Sequence, residues 1–492
     1  MTSLRQNFIQ GRWITSRGAP FVNTNPADSR QTLGHFPEST PEDLEKAVTA
    51  AQEAFESWRL TPVPRRADIL MRAGLLLERH KERLALIMTR EMGKVLKETR
   101  GDIQEAIDMA YYVAGEGRRL DGQTLPSELK NKAAMTFRMP IGVCGLITPW
   151  NFPMAIPSWK ILPAVICGNT VILKPAEDTP QSALEFVKIL HEAGMPPGVV
   201  NLVFGGAETG QRMILHQGIR LMSFTGSCDV GRIVAEQCGR QLKRCSLEMG
   251  GKNAQIILRD ADVDLALEGA LWGAFGTSGQ RCTATSRIYV DRKIYASFVK
   301  TFVAQARKIK IGPGWKNGIE MGPVINQSQL NRIHAYVESG ISEGARLECG
   351  GSRARGRDVD PGFFYLPTVF TDVRPEMKII REEIFGPVTC IIPVKGFDDA
   401  LAQVNDTQYG LSTSIYTRDV NLAMRAIRDL ESGITYVNGP TIGAEVHLPF
   451  GGIKNTGNGH REAGRTALDI FSEWKSVYID FSGRLQKAQI DV

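Results

Sequence analysis

From residue 169 onward, short apolar runs alternate with amphipathic helical patterns. "NTVILKPA", "VVNLVFG" and "LMSFTGS" are separated by "SALEFVKILHEAG" and "ETGQRMILHQ", and "VGRIVAEQCG" follows. Runs this short and continuous mark strands covered on both faces. Their return through helices makes the sheet parallel. The alternation restarts after Gly251. "NAQIILRDADVDLALEGALWGAFG" reads as strand then helix, with an acidic cap region at Asp260 to Asp264. "SRIYVD" is a strand followed by a helix of about fifteen residues. The fold class is therefore α/β, with two open parallel-sheet units, the second spanning about 252 to 450.

Upstream, "STPEDLEKAVTAAQEAFESW" predicts a helix. Thr40 caps it, Pro41 fits its first turn, and Glu42 and Asp43 suit its positive end. Helical patterns continue to about Val113. "KAAMTFRMPIGVCGLITPW" reads as one short β-like stretch. The tail "FSEWKSVYIDF" reads as a strand that must find a sheet edge.

A chain of 492 residues exceeds one ordinary core. Its net charge of +6 is dispersed without a Lys/Arg block, so neither nucleic acid nor a polybasic membrane contact is expected. The N-terminus has no apolar signal core, and no run approaches a membrane span. The eight cysteines are scattered without a C-x-x-C pair, and no histidine has metal-ligand spacing. Reduced thiols in the cytoplasm and no metal site are the expectation.

Four clusters can carry chemistry. In "TPWNFP", Asn151 sits between Pro149 and Pro153 and is either a turn residue or an amide held for an oxyanion. In "VILKPAEDTP", Lys174 and Glu177 lie beyond a strand's carboxyl end. They are either a solvated pair or partners for ribose hydroxyls. In "FTGSCDVG", Gly226 turns into a helix starting near Ser227. The motif is either structural or a pyrophosphate site, and the G-x-G-x-x-G fingerprint is absent. The fourth couples Glu248 of "LEMGGKN" to Cys282 of "GQRCT". Cys282 is either a buried structural thiol or a nucleophile. No histidine is near it in sequence and there is no G-x-S-x-G elbow.

Taken in order, "PWNFP", "KPAE", "FTGS", "LEMGGKN", "GQRCT", "EEIFGPV" and "PFGG" make the chain similar, over nearly its whole length, to the aldehyde dehydrogenase superfamily. The resemblance implies two Rossmann-like domains plus a small β oligomerisation element. Residues 1–117 and 141–250 would form the dinucleotide-binding domain and 251–450 the catalytic domain. Residues 118–140 and 466–492 would form the oligomerisation sheet of a homodimer or homotetramer. Cys282 would be the nucleophile, Asn151 and the Cys282 N–H the oxyanion donors, and Glu248 the base for water. Lys174 would serve catalysis and, with Glu177, hold the adenosine ribose. Gly226, Ser227 and Val230 would meet the pyrophosphate side of the cofactor. Glu383 would bind the nicotinamide ribose beside Phe385, and Ile147, Thr148 and Trp150 would line the cleft. NAD is the implied cofactor, with NADP the alternative; Glu177 disfavours a 2′-phosphate.

Coenzyme-A-acylating relatives lack the acid at Glu248, so water is the implied acceptor. The absence of a nearby histidine leaves thiolate formation to the cofactor, backbone dipoles and local field. "NGPTIGAEVHLPFGG" resembles the substrate loop of semialdehyde dehydrogenases, with Gly443 and Ala444 as N–H donors to a distal carboxylate. His447 departs from that pattern and is a further substrate candidate. A semialdehyde stands against a broad aldehyde range. A cysteine esterase or acyl-transferase using the same thiol is the alternative activity.

Overall fold

The computed structural model describes residues 4–490, so the extreme ends of the segments 1–117 and 466–492 lie outside the described residues. Two seven-stranded sheets carry the architecture. In the first, the order is Arg244–Glu248, Leu221–Thr225, Val143–Ile147, Thr170–Lys174, Val200–Leu202, Asn7–Ile9 and Arg12–Ile14. The first five run parallel, and the two N-terminal strands close one edge antiparallel. Val143–Ile147 and Thr170–Lys174 are buried along their whole lengths, which is why they read as continuous apolar runs.

Chain order in this sheet moves outward from Val143–Ile147 to Val200–Leu202. It then returns to the opposite side of Val143–Ile147 with Leu221–Thr225. That reversal is a topological switch point, where the connections diverge and open a crevice at the strands' carboxyl ends. Ile147, Thr148, Thr225, Gly226 and Ser227 sit at that end.

The second sheet runs Arg346–Cys349, Thr368–Thr371, Val388–Val394, Thr285–Asp291, Asn253–Ile257, Ser412–Tyr416 and Ile434–Val437. All its pairings are parallel except that of the Arg346–Cys349 edge strand. A third, antiparallel sheet joins Ser472–Asp480, Lys132–Pro140 and Thr124–Leu125. The tail strand therefore finds its edge within its own chain. The stretch read as one β segment is two strands in different sheets, Lys132–Pro140 and Val143–Ile147. Gly142, at φ +129°, makes the break that a β-propensity reading passes over.

The N-terminal helices are Pro41–Trp58, Val63–Met92 and Leu96–Glu116, the last ending just beyond Val113. The Thr40 hydroxyl accepts from Asp43 N–H and the Asp43 carboxylate accepts from Thr40 N–H, a reciprocal capping box. Asp262 caps the helix Val263–Phe275 and Ser227 caps Cys228–Arg240. Among the described residues, no helix is long and apolar enough to cross a membrane.

Candidate active site

Cys282 lies, partly buried, on the loop between the turn Gly276–Gly279 and the strand Thr285–Asp291. Three consecutive residues, Thr277, Ser278 and Gly279, hold positive φ (54°, 56° and 68°). A Cβ on Gly279 would lie 2.1 Å from the Gly386 carbonyl oxygen. The glycine of "GQRCT" thus lets the cysteine loop rest backbone-to-backbone on the "IFGPV" segment. From the other side, Asn253 Nδ2 donates to the Cys282 and Ala284 carbonyls at 2.7 and 3.0 Å, while its Oδ1 accepts from Ser412 N–H at 3.0 Å. Gly251 comes so close that a Cβ would meet the Cys282 carbonyl at 2.7 Å. "MGGKN" is therefore a clamp on the cysteine loop.

Asn151 is buried and reaches the same loop, its Nδ2 donating to the Gln280 carbonyl at 3.1 Å. Its own segment is fixed by Asp102, which accepts from Ala155 N–H at 2.8 Å and from the Lys94 ammonium at 2.9 Å. That ammonium stands 3.4 Å over the Phe152 ring. Gln280 is anchored in turn by Ile325 N–H, which donates to its Oε1 at 2.9 Å.

Glu248 ends the edge strand Arg244–Glu248. Its side chain is buried, and neither carboxylate oxygen has a hydrogen-bond partner among the described residues. Burial pushes its acidity well above the usual carboxylate range, and the neighbouring Glu462 carboxylate adds to this; Lys160 and Arg461 pull the other way. Behind it, Lys160 Nζ donates to Glu462 Oε1 and, at 2.8 Å, to Ser223 Oγ. The Cys282 thiol is pushed up to about 12 by burial, then by the Glu383 and Glu248 carboxylates. Burial is the main obstacle to the thiolate, and both carboxylates add to it when ionised, while the Thr283 N–H and Arg281 work the other way.

At the switch point, the Lys174 ammonium donates to the Gly205 and Pro175 carbonyls at 2.7 and 3.1 Å and lies 3.9 Å from a Glu177 oxygen. Burial lowers its basicity, partly offset by Glu177 and Glu38. Gly226 N–H donates to the Glu248 carbonyl at 3.1 Å, tying this crevice to the buried acid. The Ser227 hydroxyl accepts from Val230 N–H at 3.4 Å, and the Val230 side chain is exposed. Glu383 accepts from Gly251 N–H at 3.0 Å, and burial pushes its acidity up to about 7. Phe385, at φ +60°, meets Trp150 edge-to-face with centroids 5.3 Å apart. The hydroxyls of Thr148 and Thr225 are buried without hydrogen-bond partners among the described residues. Orphaned hydroxyls, a helix N-terminus and a buried lysine at a switch point suit a dinucleotide.

The loop carrying the substrate candidates lies partly at the surface. Gly443 is exposed at φ +112°, while Ala444 packs with Trp150 and Phe450 against the first core. His447 is exposed, its Nε2 3.6 Å from a Glu445 oxygen.

These features converge with the comparisons. Residues 13–477 match the model of the aldehyde dehydrogenase family. The chain belongs to that family. It is an NAD(P)-dependent oxidoreductase that oxidises aldehydes. It is 40% identical over 475 residues to the alpha-ketoglutaric semialdehyde dehydrogenase of Bacillus subtilis, covering 96% of this chain and 97% of that one. It is 42% identical over 481 residues to the alpha-ketoglutarate semialdehyde dehydrogenase of Haloferax volcanii, covering 97% and 99%. The fold superposes on Staphylococcus aureus betaine aldehyde dehydrogenase, solved with NAD+, at TM-score 0.95 and 32% identity, covering 98% and 96% of the two chains.

Some residues of this dehydrogenase site escape a reading by motif. Asn253 stands inside a quoted motif, yet its clamp on residue 282 is visible only in three dimensions. Lys160 did carry a signal, as the one charge in the apolar helix Ala155–Ile166. Its partner Glu462 lies 302 positions away. The Asp102–Lys94 support of the Asn151 segment had no sequence signal.

Proposed function

We propose that Cys282 is the nucleophile, that Asn151 and the Cys282 N–H receive the oxyanion, and that Glu248 activates the hydrolytic water. One observation supports this reading most: a buried, unpartnered carboxylate, Glu248, acts electrostatically on a thiol whose loop is bound by the Asn151 amide. The Cys282 sulfur adds to the aldehyde carbon, and charge grows on its oxygen. Asn151 retains a second amide N–H for that oxygen. When bound, the oxidised dinucleotide supplies the hydride acceptor and a positive charge beside the thiol. Lys174 and Glu177 hold the adenosine ribose; Gly226, Ser227 and Val230 flank the pyrophosphate; Glu383 takes the nicotinamide ribose. Ile147, Thr148, Trp150 and Phe385 wall the cleft. Glu248, once ionised, removes a proton from water, which attacks the thioester on Cys282 and releases the acid. NAD is preferred, because a 2′-phosphate beside Glu177 meets like charge.

Residues 1–117 and 141–250 are assigned to dinucleotide binding, 251–450 to catalysis, and 118–140 with 466–492 to oligomerisation. Trp474, Tyr478 and Ile479 are exposed on the edge strand Ser472–Asp480, which favours a homodimer or homotetramer. Eight free thiols fit a cytoplasmic protein.

The substrate is a semialdehyde bearing a distal carboxylate, the class named in the Bacillus and Haloferax relatives. Arg281, next to Cys282, keeps its guanidinium mostly buried, 5.4 Å from the Phe152 ring and 3.2 Å from Glu98. It and the Gly443 and Ala444 N–H groups are the candidate carboxylate donors, with His447 at the loop's outer face. The test is kcat/KM with NAD over acidic semialdehydes and neutral aldehydes, for the parent, Cys282→Ala and Arg281→Gln. Activity surviving in Cys282→Ala would refute the nucleophile. An equal loss on both substrate classes in Arg281→Gln would refute the carboxylate contact.

A further inference from the structure

Gly205 and Gly206 lead from the strand Val200–Leu202 into the helix Ala207–Leu215, beside Lys174 and Glu177. Gly205 holds φ +142°. A Cβ on Gly205 would lie 2.6 Å from Glu38 Oε1. One on Gly206 would lie 2.7 Å from Glu177 Oε1 and 3.7 Å from Glu38 Oε2. The glycine pair therefore lets two carboxylates from distant segments approach the same backbone. Glu177 belongs to the "KPAE" run, while Glu38 precedes the helix Pro41–Trp58.

Glu38 is fixed at this place. Gly206 N–H donates to its Oε1 and Oε2 at 3.1 and 2.8 Å, and the Thr209 hydroxyl donates to Oε1 at 2.8 Å. Gly206 is the N-cap of the helix Ala207–Leu215 and has no side chain to cap it. The Glu38 carboxylate does so from another segment, at the positive end of the helix. Its own backbone is tied down on both sides. Glu38 N–H donates to the Ala19 carbonyl at 2.9 Å and Ser39 N–H to the Phe204 carbonyl at 3.0 Å, while Phe204 N–H donates to the Ser39 hydroxyl at 3.1 Å. The nearby cations are engaged as well. Lys174 donates to the Gly205 and Pro175 carbonyls, and Arg212 to Glu208 and the Ser39 carbonyl.

We propose that Glu38 is a specificity-determining residue for the cofactor: its carboxylate occupies the N–H donors beside Glu177, so the chain selects a free 2′-hydroxyl over a 2′-phosphate. The proposal rests on the reading that Lys174 and Glu177 hold the adenosine ribose. A phosphate brings about two negative charges and needs cations or free N–H groups around it. Here it meets two carboxylates and donors already in use. A neutral hydroxyl carries no such charge and donates to a carboxylate. Were Glu38 only a helix cap, its loss would lower stability and weaken both cofactors alike.

The experiment is calorimetric titration of the full-length protein with NAD and with NADP, which needs no turnover. The variants are Glu38→Gln, Glu38→Ala, Glu177→Gln and Lys174→Met. Gln keeps an acceptor for Gly206 N–H and removes the charge; Ala frees the N–H, and either variant decides if the other fails to fold. The parent should bind NAD more tightly. Loss of the Glu38 charge should tighten NADP by about tenfold and change NAD by less than about twofold. That gain should shrink as salt is raised. Equal affinity of the parent for both cofactors, or an NADP-to-NAD ratio unmoved in a folded Glu38 variant, would overturn the proposal. Glu177→Gln and Lys174→Met separate the two claims. If neither weakens NAD, the ribose reading falls and takes this proposal with it. If they weaken NAD while the Glu38 variants leave the ratio unmoved, the role of Glu38 alone falls.

Discussion

Gly279→Ala tests whether the Cys282 loop is positioned by backbone contact. An alanine Cβ at this position would stand 2.1 Å from the Gly386 oxygen, 2.5 Å from its carbonyl carbon and 2.9 Å from Pro387 N. Ordinary C···O contacts begin near about 3.3 Å, so the two segments must part by about 1 Å. All three neighbours are backbone atoms and cannot rotate aside. The φ of +68° adds about 1–2 kcal/mol of left-handed strain for a non-glycine residue. A displacement of about 1 Å at a reacting group costs on the order of 10²-fold in rate. Reduced-cofactor formation in steady state should therefore show kcat/KM lower by about that factor, with slower alkylation of Cys282. Gly318→Ala is the control: its φ of +78° carries similar strain, but no atom lies within 4 Å of the new Cβ. It should lose about 1 kcal/mol of stability and keep its activity. Were Gly279→Ala to retain kcat/KM within about twofold and an unchanged alkylation rate, the loop would not be set by this contact.

Three further outcomes are expected. Asn151→Ala should lower kcat by about 10²–10³-fold with a small change in KM, read in steady state. Asn253→Ala leaves the Cys282 and Ala284 carbonyls and Ser412 N–H short of a partner, at about 1–3 kcal/mol for each buried group; both thermal midpoint and kcat should fall. For pH, burial and Glu462 keep Glu248 protonated above the ordinary carboxylate range, and only the ionised form can act as base. Hydrolytic turnover should rise as pH climbs through that raised value. Glu462→Gln removes the like charge and frees Lys160 to act on Glu248, so the rise should move to lower pH; an unmoved profile would remove Glu248 from the titration.

The segments of the proposed site are legible in the sequence because each is local. Cys282, Glu248, Asn151 and Lys174 sit in runs whose composition already limits the chemistry, and the family match covers them all. The supports were not legible in the same way. Asn253 bonding residue 282, Asp102 holding residue 155 and Lys160 meeting Glu462 are contacts between distant positions. Hydrophobic period and turn residues say nothing about which polar side chains will share a buried space.

The alternation of apolar runs and helices by itself determined an α/β chain with parallel sheets, because only strands covered on both faces can be so short and so apolar. Tertiary structure decided the switch point beside Val143–Ile147, the tail strand's edge against Lys132–Pro140, and the acidity of the site. Acidity depends on what surrounds a group. Cys282 is an ordinary thiol in the sequence, and burial in the fold, then the Glu383 and Glu248 carboxylates beside it, makes its thiolate costly.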